Sequence, residues 1–216
     1  MRKCILFLAG RYYAKDFVFY RRLARGCFKV AVDGGFRFFA GSGLVPDLLI
    51  GDFDSLARRP RRLSRRTEVI VHPVDKDKID LELALDYCLE HGALRIDIVQ
   101  PGLGEPDHFL ANLFLLARAS GFAHKRRPRI RLVGPDYEAH FLSDRRVRFL
   151  QARGSVVSVI PLSASVVLTC RGTAFDVNRA RIRRGQTRPT RNRITGQAAT
   201  FEISGQAFLV RVFAKG

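Results

Sequence analysis

The sequence predicts an α/β domain on a mostly parallel sheet over residues 1–143, followed by a smaller all-β domain over 144–216. Three observations carry this. Short runs in the first two-thirds are apolar throughout, as strands covered on both faces are. Helical stripes lie between those runs. After about Ser143 the pattern changes to β-rich pieces separated by Gly, Pro, Ser and Asn.

The expected strands of the first domain are Cys4–Ala9, Phe28–Val32, Leu48–Ile50, Glu68–Val71, Ile96–Val99 and Ile130–Val133. Between them, Ile79–Glu90 sets Leu81, Leu85, Cys88 and Leu89 on one helical stripe, with Gly92 as a stop. A second helix is expected over Asp107–Ala119, with Leu110, Leu113, Phe114 and Ala117 facing the core. In the second domain Val156–Ile160, Val166–Leu168, Ala198–Ile203 and Ala207–Phe213 read as strands. The basic, turn-rich stretch Arg179–Arg193 reads as an exposed loop or hairpin end. So small a domain buries little by itself, so it packs on the first domain or on a partner chain.

Hydrophobic residues make up 47% of the chain, which supports a packed core and argues against disorder. The apolar run after Met1-Arg2-Lys3 is too short for a signal peptide and is interrupted by Arg11, so a buried first strand is expected. No stretch is long and uncharged enough to span a bilayer. Cys4, Cys27, Cys88 and Cys170 are scattered, with no Cys-x-x-Cys pair, which fits a reducing, cytoplasmic setting and no zinc site. The net charge is +18, yet 14 of the 20 acids fall between Asp33 and Asp107. From Arg145 to the end, 14 Lys/Arg face only Asp176 and Glu202.

Ligands in an open α/β sheet collect at the carboxyl ends of its strands, and the acids are found there. Asp33 precedes Gly34-Gly35. Asp52 and Asp54 stand in Gly51-Asp52-Phe53-Asp54-Ser55. Asp75, Asp77 and Asp80 lie between a strand and the following helix, and Asp107 follows the strand ending at Val99. Carboxylates gathered on one rim repel unless a cation binds there, and Mg²⁺ carrying a nucleotide phosphate answers that need. Singly, Asp77, Asp80 or Asp107 also reads as a helix-capping acid. Their joint arrival at four strand ends favours chemistry. There is no Gly-x-x-x-x-Gly-Lys-Ser/Thr phosphate loop. Five histidines are scattered, and only His108, beside Asp107, is expected near the site.

The order of these motifs resembles the thiamin pyrophosphokinase family along nearly the whole chain. The resemblance rests on Val32-Asp33-Gly34-Gly35, on Pro46-Asp47-x-x-Ile50-Gly51-Asp52-Phe53-Asp54-Ser55, on Lys76-Asp77-x-x-Asp80, and on Asp107-His108-x-x-Ala111-Asn112-Leu113. It implies a Rossmann-like nucleotide domain joined to a thiamin-binding β-sandwich, and a homodimer with sites between subunits. It also implies pyrophosphoryl transfer from Mg-ATP to the thiamin hydroxyl. Asp54, Asp80 and Asp107 are then the catalytic candidates, and Asp52, Asp54 and Asp80 the Mg²⁺ ligands. Asp33, Gly34, Gly35, Asp52, Lys76, Asp77 and His108 would bind nucleotide; Asn192, Arg191 and Asn112 would bind thiamin. Three positions depart from the family pattern: Leu103-Gly104-Glu105 where it has Gly-Gly-Arg, Ile79 where it has Thr, and Arg191 where it has the Ser of Ser-Asn. One alternative is a related diphosphokinase acting on another alcohol. Another is a degenerate homologue binding nucleic acid through Arg179, Arg181, Arg183, Arg184, Arg188, Arg191 and Arg193, although few aromatics lie among them to stack on bases.

Overall fold

Six strands of four or five residues make the sheet of the first unit in the computed structural model, which describes residues 2–53, 63–102, 104–121 and 128–214. They are β1 (Lys3–Phe7), β2 (Phe28–Val32), β3 (Leu48–Gly51), β4 (Glu68–Val71), β5 (Arg95–Val99) and β6 (Arg129–Val133). Their order is β6-β5-β1-β2-β3-β4, and every neighbouring pair is parallel. The chain steps outward from β1 to β4, then returns to place β5 on the other side of β1. The order therefore reverses beside β1, where an open α/β sheet forms a crevice.

The helices are α1 (Phe17–Ala24), α2 (Phe36–Ser42), α3 (Asp80–Glu90) and α4 (Pro106–Gly121). The first two are not legible as helices, because both are rich in aromatic residues that favour strands as readily. They are held by packing. Tyr20 of α1 and Phe38 of α2 are fully buried beside Phe7, whose ring stacks on Phe38 at 4.1 Å between centroids. Helix α3 buries Leu81, Ala84, Leu85 and Cys88, close to the expected stripe. On α4 the expected stripe is rotated. Asn112, Leu113, Leu116 and Ala119 are buried, while Leu110 and Phe114 are more than half exposed. The polar Asn112 faces inward because its amide donates to Gln100 Oε1 at 3.1 Å.

The chain divides into two compact units at Pro135/Asp136, eight residues before the expected boundary at 143/144. That boundary falls inside the fourteen-residue strand β7 (Tyr137–Leu150). Charged residues on alternate positions of β7 hide it from a search for apolar runs. The second unit continues with β8 (Val156–Pro161), β9 (Ser165–Arg171), β10 (Val177–Arg183), β11 (Asn192–Arg193) and β12 (Ala198–Val212). Strand β12 is antiparallel to β7 along its length, with a bulge between Ile203 and Gln206. Its other edge pairs with β9 over Thr200–Ser204 and with β8 over Ala207–Val212. Strand β10 adds to β9, and β11 to β8. The expected loop over Arg179–Arg193 is thus partly strand: Val177 and Ala180 pack on, and Ile182 joins, the core of Phe149, Val157, Leu168, Phe201 and Leu209. Burying the Ile182 side chain contributes about 1.5–3 kcal/mol.

Candidate active site

The first site residue stands where β2 ends. Asp33 opens a single 3-10 turn, Asp33–Gly35, and takes φ +43, a left-handed backbone that Asp tolerates better than most residues. Gly35 must lack a side chain, since a Cβ there would lie 1.8 Å from the carbonyl oxygen of Phe7. Gly51, at the end of β3, has φ +152, and a Cβ on it would meet Asp33 Cβ at 3.0 Å. The absence of side chains lets the β1, β2 and β3 ends close on one another. Asp52 follows Gly51, and Asp80 is the first residue of α3.

Asp33, Asp52 and Asp80 each offer one carboxylate oxygen, and the three oxygens lie within 4.8 Å of one another. Asp33 Oδ1 is buried and accepts no hydrogen bond. Lys76 is the counter-charge: its Nζ is 2.6 Å from Asp52 Oδ2 and 3.0 Å from Asp80 Oδ1. Burial works against the lysine's charge, but hydrogen bonds to Asp52 and Asp80 outweigh it and raise its pKa. Burial also raises the pKa of Asp80; Lys76 pulls it down, and the charges of Asp52 and Asp33 push it up. The set suits a divalent cation: hard oxygen donors, one of them unpartnered and buried, in a space where like charges repel.

A cavity of about 910 Å³ opens over these carboxylates. Its wall includes Gly10 after β1, Asp33, Asp52, Lys76, Asp77 and Asp80, together with Gln100, Glu105, His108 and Asn112. Gly34 and Gly35 are buried in the turn beneath Asp33. Asp77 is exposed on the wall. Asp54 and Leu103 lie outside the described residues.

Asp107 stands outside the three-carboxylate group and does not line the cavity; it sits in the first turn of α4, where its Oδ1 accepts from the His108 amide at 2.8 Å, and it offers a carboxylate oxygen within 4.8 Å of ligand atoms of the wall residues Glu105 and His108. Gln100 is a wall residue that sequence reasoning misses. It follows four buried residues of β5 and is itself 5% exposed, so a polar residue directly after the apolar pair Ile98-Val99 is the signal that points to it.

In the second unit Asn192 serves its own backbone. Its Nδ2 donates to Phe175 O (2.9 Å) and Thr173 Oγ1 (3.0 Å), and its Oδ1 accepts from Phe175 N (3.2 Å). The turn so held carries Phe175 with its side chain largely in solvent. Arg191 is exposed at φ +57, and its amide donates to Ser158 Oγ at 3.0 Å.

A parallel α/β unit with clustered acids at its strand ends, followed by an all-β unit, defines a nucleotide-handling class of enzyme. Comparison with known proteins narrows it. Residues 20–131 match the family model of the thiamin pyrophosphokinase catalytic domain. A thiamine pyrophosphokinase from Bacillus subtilis (strain 168) is 30% identical over 186 residues, covering 81% of this chain and 82% of the relative. Among solved structures, a thiamine pyrophosphokinase from Bacillus subtilis has a TM-score of 0.81 at 26% identity, covering 99% of this chain and all of the other. One from Geobacillus thermodenitrificans has 0.80 at 27%, covering 98% and 99%. The chain belongs to the thiamin pyrophosphokinase family, and it is an enzyme of pyrophosphoryl transfer. No helix among the described residues is long and apolar enough to cross a membrane.

Proposed function

We propose that this chain transfers the pyrophosphoryl group of Mg-ATP to the thiamin hydroxyl, releasing AMP, in the cytoplasm. The observation that carries the site assignment is the convergence of Asp33, Asp52 and Asp80 within 4.8 Å, from the ends of two strands and the start of a helix. The first unit is then the Rossmann-like nucleotide domain, and the second a β-sandwich that serves thiamin.

Asp33, Asp52 and Asp80 would hold Mg²⁺, with Asp54 as a further ligand. Bound there, the ion would neutralise phosphate oxygens and orient the β-phosphorus for in-line attack. The chain's own part is positioning. Lys76, once released from Asp52 and Asp80, would offer its ammonium to a phosphate bound in the same cavity. His108 and Glu105 also line the cavity. The surplus of carboxylates also favours the cationic thiazolium ring. Asn192 acts on thiamin through the turn it holds, whose exposed Phe175 offers a flat apolar face to an aromatic ring. None of the four cysteines forms a disulfide, which fits a reducing compartment.

The test is AMP release in the presence of ATP, requiring both thiamin and Mg²⁺. Asp52→Asn is expected to lower the rate at least about 100-fold, the effect of removing one preorganised electrostatic interaction. A rate unchanged in Asp52→Asn and Asp80→Asn alike would remove the metal assignment.

A further inference from the structure

The solvent side of the sheet β10-β9-β12-β7 carries six exposed arginines: Arg179, Arg181 and Arg183 on β10, Arg171 on β9, and Arg146 and Arg148 on β7. Strand alternation puts five of them on one side, and Arg179, in the bulge between Val177 and Ala180 at φ +52, is exposed next to them with its amide on Thr169 Oγ1. Ala180 and Ile182 point into the core between the β10 arginines, and Val147 and Phe149 do so beside the β7 pair. The register aligns Arg171, Thr200 and Arg148 in one row across three strands. Glu202 stands directly opposite Arg146, and none of the six arginines forms an ion pair among the described residues. Two further acids lie at the margins. Asp144 turns its carboxylate to the Gly205 amide at 2.8 Å, and Asp176 neighbours Arg171.

We propose that this face is a second binding surface, which takes the phosphodiester backbone of a duplex nucleic acid. Six like charges on one small face attract a polyanion and oppose self-association, since a two-fold contact through the face would set arginine against arginine. All six are arginine, the side chain that grips phosphate through two parallel N–H groups. Between them lie Thr169, Thr200 and Ser204, whose hydroxyls are further donors to phosphate oxygens. No aromatic ring stands among the six, so the stacking platform of single-strand binders is missing. The β10 and β7 arginines form two ranks three strand spacings apart, about 14 Å. That is comparable to the roughly 12 Å width of a B-form major groove, so the ranks would meet the two backbones flanking it. Contacts of this kind read charge and shape rather than sequence.

The experiment measures affinity for a labelled random-sequence duplex, as RNA and as DNA, by fluorescence anisotropy over a range of salt. The full chain is expected to bind with a steep negative salt dependence. The triple variant Arg179→Gln, Arg181→Gln, Arg183→Gln is expected to bind at least about tenfold more weakly at low salt. Its slope of log K against log salt should be shallower by about 3, near 0.9 for each phosphate no longer neutralised. Its pyrophosphoryl transfer to thiamin should stay within about twofold of the parent. Arg65→Gln with Arg66→Gln, exposed in the other unit, should leave the slope unchanged. If the triple variant does not fold, Arg146→Gln with Arg148→Gln carries the same test with an expected slope change of about 2. Equal slopes in parent and face variants would overturn the proposal. So would tighter binding to single strands, to inorganic polyphosphate or to anionic lipid vesicles than to duplex.

Discussion

Lys76 Nζ lies 2.6 Å from Asp52 Oδ2, inside the group of carboxylates that the proposed function assigns to a divalent ion. One protein cation thus stands where a stronger one is needed, and the two compete. Lys76→Met is expected to raise Mn²⁺ affinity without nucleotide by about tenfold, read by the free-ion electron paramagnetic resonance signal, because the competing charge is gone. The metal-free variant should be less stable, since three carboxylates then repel without an opposing cation. The pH dependence has a definite sign. The folded pKa of Lys76 is raised above its ordinary 10.5, so its contribution is full below that value and disappears as pH climbs through the folded one. The variant should show a flatter alkaline limb in its unfolding profile. Unchanged Mn²⁺ affinity would mean that the lysine does not share the ion's position.

Gly35→Ala tests the close approach that lets the strand ends meet. Its Cβ would overlap the Phe7 carbonyl at 1.8 Å, with Phe7 C at 2.5 Å, and backbone atoms at the sheet's centre cannot yield. A loss of more than about 4 kcal/mol, or no folded protein, is expected in chemical denaturation. A loss under about 1 kcal/mol would show that the turn relocates freely.

How much of this is open to reading follows from where burial and charge coincide. Strands β1, β2, β3 and β5 bury nearly every residue, so apolar runs locate them, and the carboxyl-end rule then locates Asp33, Asp52 and Asp80. Strand β7 escapes because Asp144, Arg146 and Arg148 occupy its outward positions, leaving no continuous apolar run. Asp107 and Asn192 show a different limit. Motif position identifies both, but whether a side chain faces a ligand or its own backbone depends on local hydrogen bonds that spacing does not encode. Asp107 turns to the His108 amide and Asn192 to the Phe175 turn. The rotated stripe of α4 has the same origin, one buried polar pair, Gln100 with Asn112.

Ile79 occupies the N-cap position of α3 with φ −72 and ψ 156, the right backbone for a cap, yet offers no side-chain oxygen to the helix amides. It is 41% exposed, so little apolar burial is lost on replacement. Ile79→Thr is expected to stabilise the protein by about 1 kcal/mol, seen as a raised urea midpoint with unchanged slope. Asp80 is the next residue, so a firmer cap should also lower the KM for Mg-ATP modestly. A destabilised variant would place Ile79 in packing that its exposure does not suggest.

The chain Asn192–Thr173–Asp176 allows a separation of stability from substrate binding in the second unit. Asn192 Nδ2 donates to Thr173 Oγ1 at 3.0 Å, and the hydroxyl in turn donates a hydrogen bond to Asp176 Oδ1 at 2.9 Å. Burial disfavours the Asp176 charge, but the Thr173 amide and hydroxyl outweigh it and hold its pKa below the ordinary 3.8. Asp176 therefore stabilises the fold above its unfolded pKa, and that stability is lost as pH falls through the depressed folded value. Thr173→Val removes the hydroxyl while keeping the amide bond, so it should cost about 1 kcal/mol at neutral pH, and the gap to the parent should narrow as pH falls through the Asp176 pKa. Asn192→Asp retains the acceptor for Phe175 N but loses both donations, freeing the turn that presents Phe175. The KM for thiamin should rise at least about tenfold while the KM for Mg-ATP stays within about twofold. If both constants move together, Asn192 supports the fold as a whole; if neither moves, the Phe175 turn has no part in holding thiamin.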